Sequence, residues 1–558
     1  MSLDMKKLLA FLMSVMIMCS CAGCDSEKKD NEDNGGFEKI DVSELPSKLD
    51  LRDLDGMNYV TPVKTQLFGD CWAMAMAAAA ETSYLYANDM GVDAGKENKQ
   101  VDFSEKYISW YVFHGMTRDD VKVGRVRASQ IGEGFDPSEA EKETPVISAI
   151  FGGAFVGNVN LFGAGFGPVD ENLTVKGEKP YAYDDMWSGE WTLPQNAEYR
   201  CADSDAILRN AIKLPSPAQH DKDGAYSFDQ EGVDAIKYEL NKGHAVTIGV
   251  YSSHVGFGGK KRHVYYEGED SVDHAVAIIG YDDDYPKEKF TRQDTGGDTV
   301  KSITPPENGA FIIKNSWGLS GDPDDDGYLW LSYYDQSIKT PLSYSFDNSK
   351  KAAHTARNID QYDLLMTQWY ATVDREDESR MANVFDAEGD ESLYQIAYMT
   401  TQPKTKVSYE IYKGIDDGDP ASGELLEKGE CRHTYPGYYT VDLADEYKLR
   451  KGDKYAVVLT MKHTAGEEDV YSEVFPYSTQ IADGIKTRAV VNKGESYLWE
   501  KGSWTDLSRM IGTHIDIAFE QIGNEIGKKE RELPIKLDSK DTFVVDNYPI
   551  KAILAESK

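Results

Sequence analysis

A cysteine before a helical run, a histidine entering an apolar strand and an asparagine leaving another are the residues here whose surroundings best fit chemistry. Cys71 closes the stretch Thr61-Pro62-Val63-Lys64-Thr65-Gln66-Leu67-Phe68-Gly69-Asp70-Cys71-Trp72-Ala73, and Ala73 to Tyr86 (AMAMAAAAETSYLY) has high helix propensity. Unpaired amides at a helix N-terminus stabilise a thiolate, the form of cysteine that attacks carbonyls. Such a nucleophile needs a base. His274 stands in Asp273-His274-Ala275-Val276, at the start of a strand where it shares a face with Val272 and Val276. Asn315 lies in Phe311-Ile312-Ile313-Lys314-Asn315-Ser316-Trp317-Gly318. Taken singly, these read as a packed thiol, a core histidine and a strand ending in a turn. Taken together, in the order Cys, His, Asn, each supplies a different role that nucleophilic catalysis requires.

The three segments resemble those of the papain-family cysteine peptidases, in which a Gln precedes a Gly-x-Cys-Trp-Ala helix start and an Asn-Ser-Trp-Gly follows a strand. The resemblance implies that Cys71 attacks a peptide carbonyl, that His274 takes its proton, and that Asn315 orients the imidazole. It implies also that Trp317 shields that hydrogen bond from water, that Trp72 supports the site, and that Gln66 and the Cys71 amide hold the oxyanion. Leu45 to Arg52 looks like the family's mature N-terminus, and Phe103-Ser104-Glu105 like its Leu-Ser-Glu. Gly152-Gly153 resembles the glycine pair whose backbone lines the substrate cleft, a simple turn being the alternative. Departures accompany these matches. Gln66 is five positions before Cys71, one fewer than usual, and Phe68 replaces a commonly disulfide-bonded cysteine. His274 and Asn315 stand 203 and 244 positions after Cys71, against roughly 130 to 150 in the family, so insertions lie between them. Between Gly115 and Tyr251 only the glycine pair is matched. No long inhibitory pro-segment fits between Cys24 and Leu45, so an open cleft is expected.

The elements that must hold these residues follow from the pattern. A buried helix starts near Cys71 and another follows Ser104, a good N-cap residue. Ala245–Tyr251, Ser271–Tyr281, Ala310–Lys314 and Tyr328–Tyr333 are short runs rich in Val, Ile and Tyr bounded by Gly and Asp, and predict strands. Polar Asp347–Asn358 then separates a second region with strand-like runs at Leu393–Thr400, Val407–Tyr412, Tyr438–Leu443, Tyr455–Met461, Tyr497–Glu500 and His514–Phe519. Turn residues punctuate it, which predicts a β-sandwich. With Asn358–Asp363, Ala382–Phe385 and Gly494–Tyr497 it resembles the lectin-like domain found behind such peptidases. That implies a carbohydrate or surface ligand as readily as a structural companion. The expected class is thus α+β: a two-lobed papain-like domain, helical lobe plus β-barrel lobe, over 45–346, followed by an all-β sandwich over 358–523 that folds by itself. Residues 524–558 form an extension without a readable role.

Residues 1–24 read as a lipoprotein signal peptide: Lys6 and Lys7 precede the apolar run Leu8–Met18, which ends in Cys21-Ala22-Gly23-Cys24. This resembles the bacterial lipobox, with Cys24 as the lipidated residue and Cys21 the competing choice. Acidic, polar 25–44 then form a flexible tether. Only Cys71, Cys201 and Cys431 remain in the exported body, too few for a disulfide framework. The formal charge is −36, which disfavours a nucleic-acid partner. Asp322–Gly327 opens like a calcium loop but reaches Tyr333 where the bidentate Glu belongs, and His114, His220, His244, His254 and His263 lack metal-ligand spacing. No metal or other cofactor is expected. The sequence reads as an exported, lipid-anchored cysteine endopeptidase of protein or peptide substrates. A same-fold exopeptidase and a non-catalytic adhesin are the alternatives.

Overall fold

The computed structural model describes residues 37–38, 40–123, 126–144, 152–153, 155–183, 191–202, 204, 206–221, 223–252, 262–268, 272–294, 301–319, 326–348, 358–366, 369–466, 468–479, 484–509, 514–517, 533–536 and 543–556. The leader with Cys21 and Cys24, His254 and most of the acidic turn 322–327 lie outside them.

The first helix, α1 (Cys71–Ala87), is buried from Trp72 to Leu85. Its alanines leave no polar face, as expected of a helix enclosed on all sides. Ser104 caps α2 (Glu105–Val112) by accepting from the Tyr107 amide at 3.0 Å. A third helix, α3 (Phe155–Gly163), packs against both. After short strands that include Lys48–Asp50 and Gly134–Asp136, the longer ones begin with β1 (Ala206–Lys213), and α4 (Gln230–Asn241) leads into β2 (Val246–Val250), β3 (His274–Asp282), β4 (Ala310–Lys314), β5 (Tyr328–Ser332) and β6 (Lys339–Asn348). β2 and β4 are buried throughout and β3 from His274 to Tyr281, matching their unbroken apolar runs. Gly280 in β3 has no side chain because the strand Lys48–Asp50 passes so close that a Cβ would lie 2.5 Å from the Leu49 carbonyl oxygen.

The second unit supplies β7 (Asn358–Asp360), β8 (Glu391–Thr400), β9 (Gly437–Leu449) and β10 (Ile550–Glu556) to the same sheet. Its order is β7-β10-β8-β9-β1-β6-β2-β3-β4-β5, ending on the short strand His263–Val264. A nine-stranded sheet that includes Thr405–Lys413 and Lys454–Ala465 completes the second unit. Most strands expected from the sequence are present.

Two expectations are corrected. The second unit is not a separate body, since β9 pairs with β1 in the register Gly437↔Ile212, Tyr438↔Ala211, Tyr439↔Asn210, and one buried apolar cluster runs through both units. Lys486–Arg488 likewise pairs with Gly134–Asp136. Nor is the C-terminal segment an appendage: Phe543–Val545 joins the second sheet and β10 lies between β7 and β8. An apolar Ile550–Ala555 stretch finds burial only inside the sandwich.

Candidate active site

Asp70 opens α1 through its carbonyl, which accepts from the amides of Ala73 and Met74 at 2.8 and 3.0 Å, while its side chain makes no cap. Cys71 is the first helical residue, so the unpaired first-turn amides surround it. β3 brings the base: His274 is its first residue, and the next amide, that of Ala275, lies close enough to the Cys71 thiol to oppose its upward shift. β3 pairs with β4, so Asn315, one residue past β4, falls beside His274. The Asn315 Oδ1 lies 2.8 Å from His274 Nε2 and also accepts from the Ser316 amide at 2.8 Å. The Trp317 indole stacks on the imidazole at 4.5 Å and 25°.

Gln66 is held to the same segment in spite of its shortened spacing. Its amide donates to the Ser316 carbonyl at 2.7 Å, its Oε1 accepts from Ser316 Oγ at 2.6 Å, and its Nε2 donates to the Phe68 carbonyl at 2.8 Å. Thr65 bridges Trp317, and Gly318 donates to the Lys64 carbonyl at 3.0 Å. A side chain at Gly318, which has φ +67°, would strike Thr65 Oγ1. On the other side of Cys71, Trp72 is buried and packs edge-on to Phe113, with Gly153 against its indole. The glycine pair thus reaches the head of the helix, Gly152 at φ +72°.

Burial pushes the Cys71 thiol up to about 12, aided by Asp70 and Asp273, with the Ala275 and Trp72 amides opposing. Burial lowers His274, against the Asn315 hydrogen bond. Burial thus disfavours the charged form of each group taken alone, and moving the proton between them creates both charges at once, each stabilised by the other.

The sequence gives no sign of what lies beneath. Lys64 Nζ reaches Asp102, Glu105 and Glu81 at 2.6, 2.8 and 3.2 Å, and Lys314 Nζ donates to Thr61 at 2.7 Å. Lys64, Glu81, Glu105 and Lys314 of this charged group line one small cavity together with Asn315 and Ser316. Cys201 is buried and Cys431 half-buried, and neither forms a disulfide among the described residues. Among the described histidines, His114 is held between the Trp110 carbonyl and Glu141, and His244 by Glu239. Among the described residues no group of three or more His, Cys, Asp or Glu could hold a metal.

Residues 169–346 match a family model described as papain family cysteine protease, which takes in His274 and Asn315, while Cys71 and Gln66 precede the match. Residues 359–518 match one described as lectin like domain. Among solved structures, the chain is similar to the clostridial cysteine protease Cwp84 after propeptide cleavage, at 20% identity and TM-score 0.59, over 92% of this chain and 100% of that one. It is similar too to the cysteine protease and lectin-like domains of Cwp84, a surface layer associated protein of Clostridium difficile, at 19% identity and TM-score 0.57, over 92% and 89%. At these identities the likeness is one of fold. No curated protein matches the chain.

Proposed function

As a papain-like cysteine peptidase with a lectin-like domain behind it, the chain needs a nucleophile, a base and an orienting group, and we propose that Cys71, His274 and Asn315 fill those places. The observation that carries this reading is the imidazole fixed between the Asn315 amide and the Trp317 indole, on the strand whose next amide touches the thiol. His274 takes the thiol proton as sulfur attacks the carbonyl, then gives it to the leaving amine, and water later hydrolyses the thioester. Asn315 fixes the ring. Gln66 Nε2 and the Cys71 amide hold the oxyanion, and Gly152-Gly153 lines the cleft beside it. We read the activity as endopeptidase cleavage of protein or peptide substrates. The protein is exported and lipid-anchored through Cys24, a location in keeping with the surface-layer association of Cwp84. The lectin-like domain is the recognition unit for a carbohydrate or surface ligand.

Cys71→Ala is expected to abolish hydrolysis of a denatured protein, whereas Cys201→Ala and Cys431→Ala keep most of it. Undiminished cleavage by Cys71→Ala would remove the catalytic assignment. Product mapping by mass spectrometry separates internal cuts from end trimming, and trimming alone would replace endopeptidase with exopeptidase.

A further inference from the structure

Tyr183 belongs to none of the matched segments, yet its hydroxyl sits between the two ends of the loop that joins Gln66 to Cys71. It accepts from the Leu67 amide at 3.1 Å and donates to the Asp70 carboxyl, whose oxygens are 2.9 and 3.1 Å away. Leu67 follows Gln66 and Asp70 precedes Cys71, so one phenol spans the whole loop. The ring of Phe68, in the middle of that loop, lies 4.4 Å from Trp191 and 5.9 Å from Tyr183, and Trp191 meets Tyr183 edge-on at 5.1 Å. The Tyr183 amide donates to Glu171 at 2.8 Å, which fixes the tyrosine in turn. Where the family commonly has a cysteine pair, this chain holds its loop by aromatic packing and one hydroxyl.

Asp70 is fully buried, and since its side chain does not cap the helix, Tyr183 is what satisfies it. Burial pushes its carboxyl up to about 7, with the Tyr183 hydrogen bond pulling down. Its charge therefore changes near neutral pH, one residue from the thiol. Once ionised it opposes the Cys71 thiolate, as does Asp273, which is tied to the Ser252 amide and hydroxyl. The other charged groups nearby are Glu105 and Glu171 on the Tyr183 side and Lys106, whose ammonium lies 5.9 Å over the Trp191 ring.

We propose that Asp70 and Tyr183 are positioning residues of this peptidase: the phenol ties the loop so that the Gln66 amide is presented to the oxyanion, and the protonation state of Asp70 sets how readily Cys71 gives up its proton. The inference rests on the reading of Cys71 as the nucleophile. As pH rises through neutrality Asp70 ionises and the thiol becomes harder to deprotonate, so the alkylation profile carries an inflection there in addition to that of the thiol.

The test is the rate of iodoacetamide alkylation of Cys71 in the full chain, followed from about pH 5 to about pH 10, beside steady-state hydrolysis of a fluorogenic peptide. Asp70→Asn is expected to erase the inflection near neutrality and to raise the alkylation rate severalfold on its alkaline side, where the ionised carboxylate no longer opposes the thiolate. Tyr183→Phe, which removes the bond that favours the ionised carboxyl, is expected to move the inflection to higher pH and to lower kcat about tenfold at little-changed KM. The inflection is read within each variant, so partial loss of folded protein scales the rate without moving it. An Asp70→Asn profile superimposable on the unsubstituted one, or a Tyr183→Phe enzyme with unchanged kcat, overturns the proposal. Cys71→Ala separates the two failures: hydrolysis without Cys71 defeats the parent reading, while a silent Cys71→Ala beside an unchanged Asp70→Asn profile defeats this inference alone.

Discussion

One oxygen, Asn315 Oδ1, meets both the His274 ring and the Ser316 amide, so the asparagine is itself held before it holds the histidine. Removing it frees the imidazole to turn and exposes its nitrogen to water. Asn315→Ala is expected to lower kcat by about 100-fold or more while leaving Cys71 present and alkylatable. A loss of less than a few-fold would mean that Trp317 stacking alone orients the ring. The same site fixes a pH direction. Because His274 sits below its ordinary value through burial, the unfolded chain takes up the proton first as pH falls. Its contribution to stability is thus whole above about 6.5 and is lost as pH falls from there through the folded value. At this scale the sequence was highly legible for Cys71, His274 and Asn315, because the motif is local and contiguous. It was silent for Tyr183 and Trp191, whose roles depend on contacts across more than a hundred positions that no short window contains.

Among the elements, β1 decides how the two units depend on each other. Its apolar alternation, Ala206-Ile207-Leu208-Arg209-Asn210-Ala211-Ile212-Lys213, is interrupted by Arg209 and Asn210 and does not read as a core strand. Both have partners from the other unit: Arg209 pairs with Asp442, and the Asn210 carbonyl group of the side chain accepts from the Thr440 amide at 3.2 Å. The strand is legible only once β9 is in place. β3 and β4, by contrast, are buried by elements of their own unit and show it as unbroken apolar runs. A chain ending at Phe346 would leave β1 as a bare edge and expose the α3 surface that Tyr438 covers, its ring against Gly163. Such a truncation is expected to be insoluble or to melt well below the full chain, reversing the expectation of an autonomous peptidase unit. A soluble 45–346 fragment with undiminished Cys71 alkylation and an unshifted melting temperature would show that the shared ladder is dispensable.

At the scale of the whole molecule, the start of the described chain lies against both units. The Glu38 carbonyl accepts from Thr434 at 2.8 Å in the second unit, and its carboxyl accepts from Tyr238 at 2.5 Å in the first. The described chain therefore begins at the seam between the two units. Cys24→Ala is expected to abolish labelling by a fatty-acid probe and to shift the protein from the membrane fraction to the soluble one. Labelling that survives in Cys24→Ala and disappears in Cys21→Ala would move the anchor.

The place of β10 has a consequence for timing. It fills the gap between β7 and β8, and those strands are made about 190 and 150 residues earlier in synthesis. A chain that emerges from its N-terminus can assemble the helices around Cys71 early, but the sheet they rest on stays open until β9 arrives, and the second unit stays open until β10 does. The order of synthesis thereby delays completion of the fold around Cys71 until its last strand is through.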